Sequence, residues 1–154
     1  MRVHTHVVFS TAVALWLATT WQTALLAPLT TFLIDALGHS RNHGIPHRIW
    51  LTHDWLLSLF IFVLPLSWVY TWVPLVHVPL TTAFIINTTT LYTHLMLDGF
   101  TGHTFILTKR VGHEYVEWDN PVANGLFIAL GLILVLALGS VSYTHLTLPT
   151  IYSV

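Results

Sequence analysis

Three long stretches of this chain, residues 7–34, 55–93 and 121–154, contain no Asp, Glu, Lys or Arg. A fold that meets water along its elements must carry charge there, so runs of this length point to lipid as the solvent. The rest of the composition agrees. Of the residues, 55% are hydrophobic and 7% charged, against roughly 25% charged in a typical soluble domain. Five basic against six acidic residues leave no positive surface for nucleic acid. The absence of cysteine removes disulfides, thiolate zinc sites and cysteine nucleophiles. Any metal would have to be held by His, Asp or Glu, and the chain holds 11 His.

The apolar periodicity predicts an all-α integral membrane bundle of about five helices. Val7 to Ile34 would make about 42 Å of helix, more than one crossing of a ~30 Å hydrocarbon core needs. The polar patch Thr19-Thr20-Trp21-Gln22 and Pro28 favour a hairpin, roughly 5–20 and 23–37, over one long tilted helix. Trp72-Val73-Pro74 and Val78-Pro79 divide the second stretch into helices near 53–72 and 79–98. Asp119-Asn120-Pro121 opens a fifth helix that runs through Ser140, with a polar cap ahead of proline at the first helical position. Most tryptophans fall near the proposed helix ends, where interfacial aromatics belong. Residues 1–140 are read as one membrane-embedded domain. Residues 141–154, VSYTHLTLPTIYSV, resemble a translated sequencing-library adapter and are set apart as a non-native tail, which removes His145 from consideration.

Alternation of these spans puts the N-terminus, the 35–54 connection and the 94–120 connection on one face. All five basic residues, all six acids and nine of the histidines gather there, and only His77 and His145 do not. By the positive-inside rule this face is cytoplasmic, which predicts a multi-pass protein of the cell membrane.

Imidazole is the commonest neutral metal ligand, and four clusters converge on the charged face. His4 and His6 open the first helix, and one of the two is expected to be a ligand. Asp35 and His39, and His94 and Asp98, are i,i+4 pairs that place carboxylate and imidazole on one helical face. Between them lies His47-Arg48-Ile49-Trp50-Leu51-Thr52-His53-Asp54. Asp35, His53, His94 and Asp98 are the core of the expected ligand set, with His39, His47 and one of His4 or His6 completing one or two sites. His43, His103 and His113 are weaker candidates. The nitrogen and oxygen donors suit a divalent metal, zinc foremost, with manganese or iron as alternatives. Arg48 is read either as a contact to phosphate or an anionic head group or as a membrane anchor. Asp54 would orient His53 or cap the following helix.

In these residues the chain resembles the YdjM-like membrane-bound metal-dependent hydrolases. His47-Arg48 followed by Thr52-His53 is similar to that family's HR-x-x-x-TH-S box, with Asp54 where serine is usual. Leu33-Ile34-Asp35 and His39 resemble its apolar-Asp segment without the usual Asp-x-Asp-His form. His94 to Asp98 with Thr101 resembles its H-L-x-x-D-x-x-T box. A short archaeal family of uncharacterised membrane proteins is closer still. It shares the Arg2-to-His6 opening, the Ile34-to-His39 run and the Asp119-to-Leu126 segment. The resemblance covers residues 2 to about 138 and implies metal-assisted hydrolysis. A lipid or phosphoester substrate suits a site at head-group level, with Glu114 as candidate general base. Two other classes compete: a carrier or sensor of metal or protons, and a structural membrane protein whose polar cluster joins helices.

Overall fold

The computed structural model describes residues 1–18, 20–42, 45–74 and 76–146, with side chains at all of these except 40–42, 45–47 and 139–146. It is mostly helical. In chain order the elements are α1 (Val3–Leu15), α2 (Trp21–Gly38), β1 (His39–Asn42), β2 (Ile45–Arg48), α3 (Trp50–His53), a π-helical turn (Leu59–Val63) running into α4 (Leu64–Trp72), α5 (Leu80–Phe100), β3 (Thr104–Ile106), β4 (Lys109–Val111) and α6 (Pro121–Leu146).

The first apolar stretch is a hairpin of two helices. Thr20 accepts from the Thr23 amide while the Thr23 hydroxyl takes the Thr20 amide, a reciprocal cap that starts α2. Helix α1 stops at Leu15, short of the expected residue 20, and turns through Trp16 and Leu17. The expected continuous helix over 53–72 is broken at its start. Asp54 leaves helical geometry, and its Oδ1 accepts from the amides of Leu56 and Leu57, both at 2.9 Å. Asp54 therefore caps the helical run that follows. The π turn ends two residues before Pro65, which has no amide to offer Ile61, so the wider turn falls where the α ladder would be interrupted. Helix α6 continues past Ser140 to Leu146.

The connections expected as plain loops contain two small antiparallel hairpins, β1–β2 and β3–β4. An Asp54–Phe105 bridge and the Trp55 amide bonded to the Phe105 carbonyl at 2.9 Å join the second hairpin to α3. Both hairpins thus cover the same end of the bundle.

Three buried apolar clusters fill the interior. Tyr70, Val76, Val78 and Ile86 close the end opposite the hairpins. Ile34, Phe62, Val63, Leu91 and Leu95 occupy the middle. Met1, Phe9 and Leu97 pack towards α6. Helix α6 is held through Asn124, whose Oδ1 accepts from the Thr5 hydroxyl at 2.6 Å and the Arg2 amide at 3.1 Å. Gly131 lets α6 approach α1 closely, since a Cβ there would stand 3.3 Å from Val8 and 3.4 Å from the Phe9 backbone. Outward-facing positions carry large apolar side chains, including Trp21, Leu29 and Phe32 on α2, Trp68 and Trp72 on α4, and Leu126 and Leu136 on α6. Among the described residues one helical segment, Pro121–Leu138, is both long and apolar enough to cross a membrane.

Candidate metal centre

Asp98 lies in the last turns of α5, fully enclosed, and four imidazoles surround it. From α1, His6 Nε2 stands 3.1 Å from Asp98 Oδ1. Against Oδ2 stand His53 Nε2 from α3 at 3.0 Å, His94 Nε2 from the preceding turn of α5 at 3.3 Å, and His39 Nε2 from the first residue of β1, just past α2, at 3.9 Å. The rings of His6 and His94 are stacked, 4.0 Å between centroids. Gly38 allows this convergence: a Cβ there would collide with the Thr52 hydroxyl and the His53 ring.

The two faces of the Asp98 carboxylate differ. Oδ1 takes the Arg48 guanidinium through Nη2 at 2.9 Å and the amino group of Met1 at 3.3 Å. Oδ2 has no hydrogen-bond partner among the described residues, and the same holds for Nε2 of His6, His53 and His94. The short approaches between these atoms lack hydrogen-bond angles. Their spacing is that of donors arranged around an ion: two atoms each about 2.1 Å from one metal, at angles of 90–110°, lie roughly 3.0–3.4 Å apart.

Ring orientation supports the same use. His39 Nδ1 is 3.2 Å from Asp35 Oδ1 and 3.3 Å from the Asp35 carbonyl, so it carries the proton and leaves the Nε2 lone pair towards Asp98. For His53 the partner of Nδ1 is the Thr52 hydroxyl at 2.9 Å, which has the Ile34 carbonyl as its own acceptor at 3.5 Å. With the proton on Nδ1, His53 directs its Nε2 lone pair toward Asp98 Oδ2, 3.0 Å away, as two ligands of one cation would stand. Burial pulls the His53 pKa down to about 4, despite the opposing pull of Asp98, so the ring is neutral at pH 7 and able to ligate. Two sets, the buried His6–His94–Asp98 and His39–His53–Asp98 with His39 half-buried, could each hold a metal ion, and they share Asp98.

Of the residues singled out in the sequence, His6, His39, His53, His94 and Asp98 meet here. Asp35 sits at the edge, with Oδ1 holding His39 and lying 3.8 Å from His94 Nε2, and with Oδ2 buried and unpartnered. His4 is on the exposed side of α1 and lines the cavity mouth instead. His47 falls on β2, and its side chain lies outside the described residues, as does His43 altogether. His103 lines the cavity, with Nδ1 2.6 Å from the Gly112 carbonyl, while His113 is exposed. Glu114 stands exposed on the cavity rim, and its side chain makes no hydrogen bond or ion pair to the cluster among the described residues.

Asp54 does not orient His53. Besides its two capping bonds, Oδ2 accepts from the Thr108 amide at 2.7 Å. Burial would raise its pKa, but these backbone donors outweigh that and hold the carboxyl below its ordinary range. The residues missed in the sequence are Thr52 and Thr101, the latter accepting from Arg48 Nη2 at 2.8 Å. Their signal was available, since they are the threonines of the two boxes quoted above.

Above the cluster opens a cavity of about 980 Å³, bordered by Asp35, His39 and Arg48 at its base. Compared with known protein families, curated proteins and solved structures, the chain finds no match in any of the three.

Proposed function

We propose that the protein is a membrane-embedded, metal-dependent hydrolase whose site opens at the cytoplasmic head-group level. One observation carries the reading: buried imidazole and carboxylate donors, left without partners, converge beneath an open cavity, which reaches the cluster through Asp35, His39 and Arg48 in its lining. The apolar outward faces of α2, α4 and α6 support immersion in lipid, with α1, α2, the run into α4, α5 and α6 as the membrane-spanning segments. Basic residues at the cluster end support its cytoplasmic orientation. The resemblance of the three sequence boxes to membrane-bound hydrolases supports the reaction class.

His6, His39, His53, His94 and Asp98 would hold the ion, with zinc the best match to this nitrogen-rich set and manganese or iron as alternatives. When bound, the ion supplies Lewis acidity to an ester oxygen and to water. Asp35 and Thr52 fix the rings of His39 and His53. Arg48 neutralises the outer face of Asp98. Hydrolysis joins the water oxygen to the ester centre, breaks the bond to the alcohol and leaves the proton on that alcohol. Asp35 Oδ2, unpartnered and beside both cluster and cavity, is better placed to hold the proton in transit than the rim residue Glu114.

The test is elemental analysis of protein purified in detergent, followed by phosphoester and lipid-ester assays on the metal-loaded form. Stoichiometric metal, lost in His94→Ala and Asp98→Ala, together with turnover, supports the proposal. Metal without turnover favours a carrier or sensor, and folded metal-free protein favours a structural role.

A further inference from the structure

We propose that the cavity above the cluster receives a lipid bearing a terminal phosphate, which is the substrate in the hydrolase reading on which this rests. Among the described side chains, three basic residues, Arg2, Arg48 and Arg110, line this cavity. Arg48 is the anchor. Of its five N–H groups, Nη2 serves Asp98 and Thr101, and Nη1 reaches the His103 carbonyl at 3.3 Å. The remaining Nη1 and Nε hydrogens have no partner among the described residues, and the guanidinium borders the cavity. Its seat depends on Gly102, where a Cβ would stand 2.5 Å from Arg48 Nη1. A guanidinium held in place beside two further arginines suits a phosphate, which accepts paired N–H bonds, far better than a neutral ester.

The opposite wall is apolar and turns outward. Phe32 and Ala36 line the cavity and are also exposed on the outer face of α2, as Val3 is on α1 and Trp118 ahead of α6. The cavity therefore opens sideways onto the surface read here as lipid-facing. Along α2 the lining passes from His39 at the helix end, through Ala36 and Asp35, to the apolar Phe32, about 4.5 Å beyond Asp35 by helix rise. That gradient matches an amphiphile with its charged end at the metal centre and its chain leaving between α1 and α2. Free phosphate would use the first half of this surface and not the second.

Zinc-loaded protein in detergent is titrated with micelles containing phosphatidic acid, with micelles containing diacylglycerol of the same chains, and with inorganic phosphate. Native mass spectrometry reads binding and metal content together. Phosphatidic acid is expected to bind at least tenfold more tightly than either of the others. Arg48→Lys and Arg110→Ala should each weaken it about tenfold, and Ala36→Trp should weaken the lipid while leaving inorganic phosphate unchanged. If Arg48→Lys does not fold, Arg110→Ala on the exposed hairpin carries the test. Equal binding of diacylglycerol overturns phosphate recognition, and equal binding of inorganic phosphate overturns the lipid source. Metal retained without lipid binding sinks this proposal alone. Lipid bound by protein that takes no metal sinks the hydrolase reading, and with it the lipid as substrate.

Discussion

Asn87 and Asp98 stand about three turns apart on α5, both buried, each at the centre of a polar cluster. Around Asn87 the groups satisfy one another. Its Oδ1 accepts from Thr30 at 2.7 Å, its Nδ2 donates to Ser67 at 2.9 Å, and Ser67 donates onward to the Val63 carbonyl at 2.7 Å. This joins α2, α4 and α5 and asks for nothing from outside. Around Asp98, Nε2 of three histidines and one carboxylate oxygen lack partners in the same kind of enclosure. An unsatisfied buried polar group costs about 1–3 kcal/mol, more when charged, so the first cluster is adhesive, while the second keeps donors that could hold a metal ion.

Asp98→Ala should give the sharpest break between the two. It removes the shared donor and strands the Arg48 guanidinium, so all bound metal should be lost with about 3–5 kcal/mol of stability, read by elemental analysis and thermal unfolding in detergent. Asp35→Asn should reduce turnover by about 10²–10⁴-fold, whereas Glu114→Gln should cost less than tenfold; the reverse order would return the proton to the rim carboxylate. Chelation should lower stability by about 2.7 kcal/mol relative to protein held at a hundredfold excess of free metal over Kd. The chelation shift should vanish in His94→Ala and persist in Asn87→Leu. Asn87→Leu itself should cost about 1 kcal/mol with full metal content, and metal loss there would erase the distinction drawn above. Smallest is Gly102→Ala, which should displace Arg48 and weaken phosphatidic acid binding severalfold while the metal stays.

The helices were legible because charge-free runs, prolines and the Asp119-Asn120-Pro121 signature are local signals. So was the pairing of residues on α2 and on α5, since i,i+4 spacing follows from helix geometry alone. The choice of His6 over His4 was not, because it depends on which side of α1 meets α5, and Asn124 on α6 helps set that rotation. The two hairpins were hidden by short strands lacking an alternating apolar pattern. Of the two roles read for Asp54, the helix cap was the one taken, and the ring of His53 pairs instead with Thr52, for which no role had been read. Adjacent residues at a helix break point in directions that sequence spacing does not fix. Asn87 shows the same limit from the other side, since a single amide in an apolar run gives no hint of which helices will reach it.

The donors around Asp98 come from four separate segments, α1, the start of β1, α3 and α5, while α6 supplies none among the described residues. During synthesis the pieces emerge one after another, and the last of them, Asp98, arrives before the final helix has been made. On the metal-centre reading, capture of an ion would then fasten the helical segments ahead of α6 while that closing one is still inside the ribosome. Metal supply would thereby act on how reliably new copies mature, and not only on how well finished ones work.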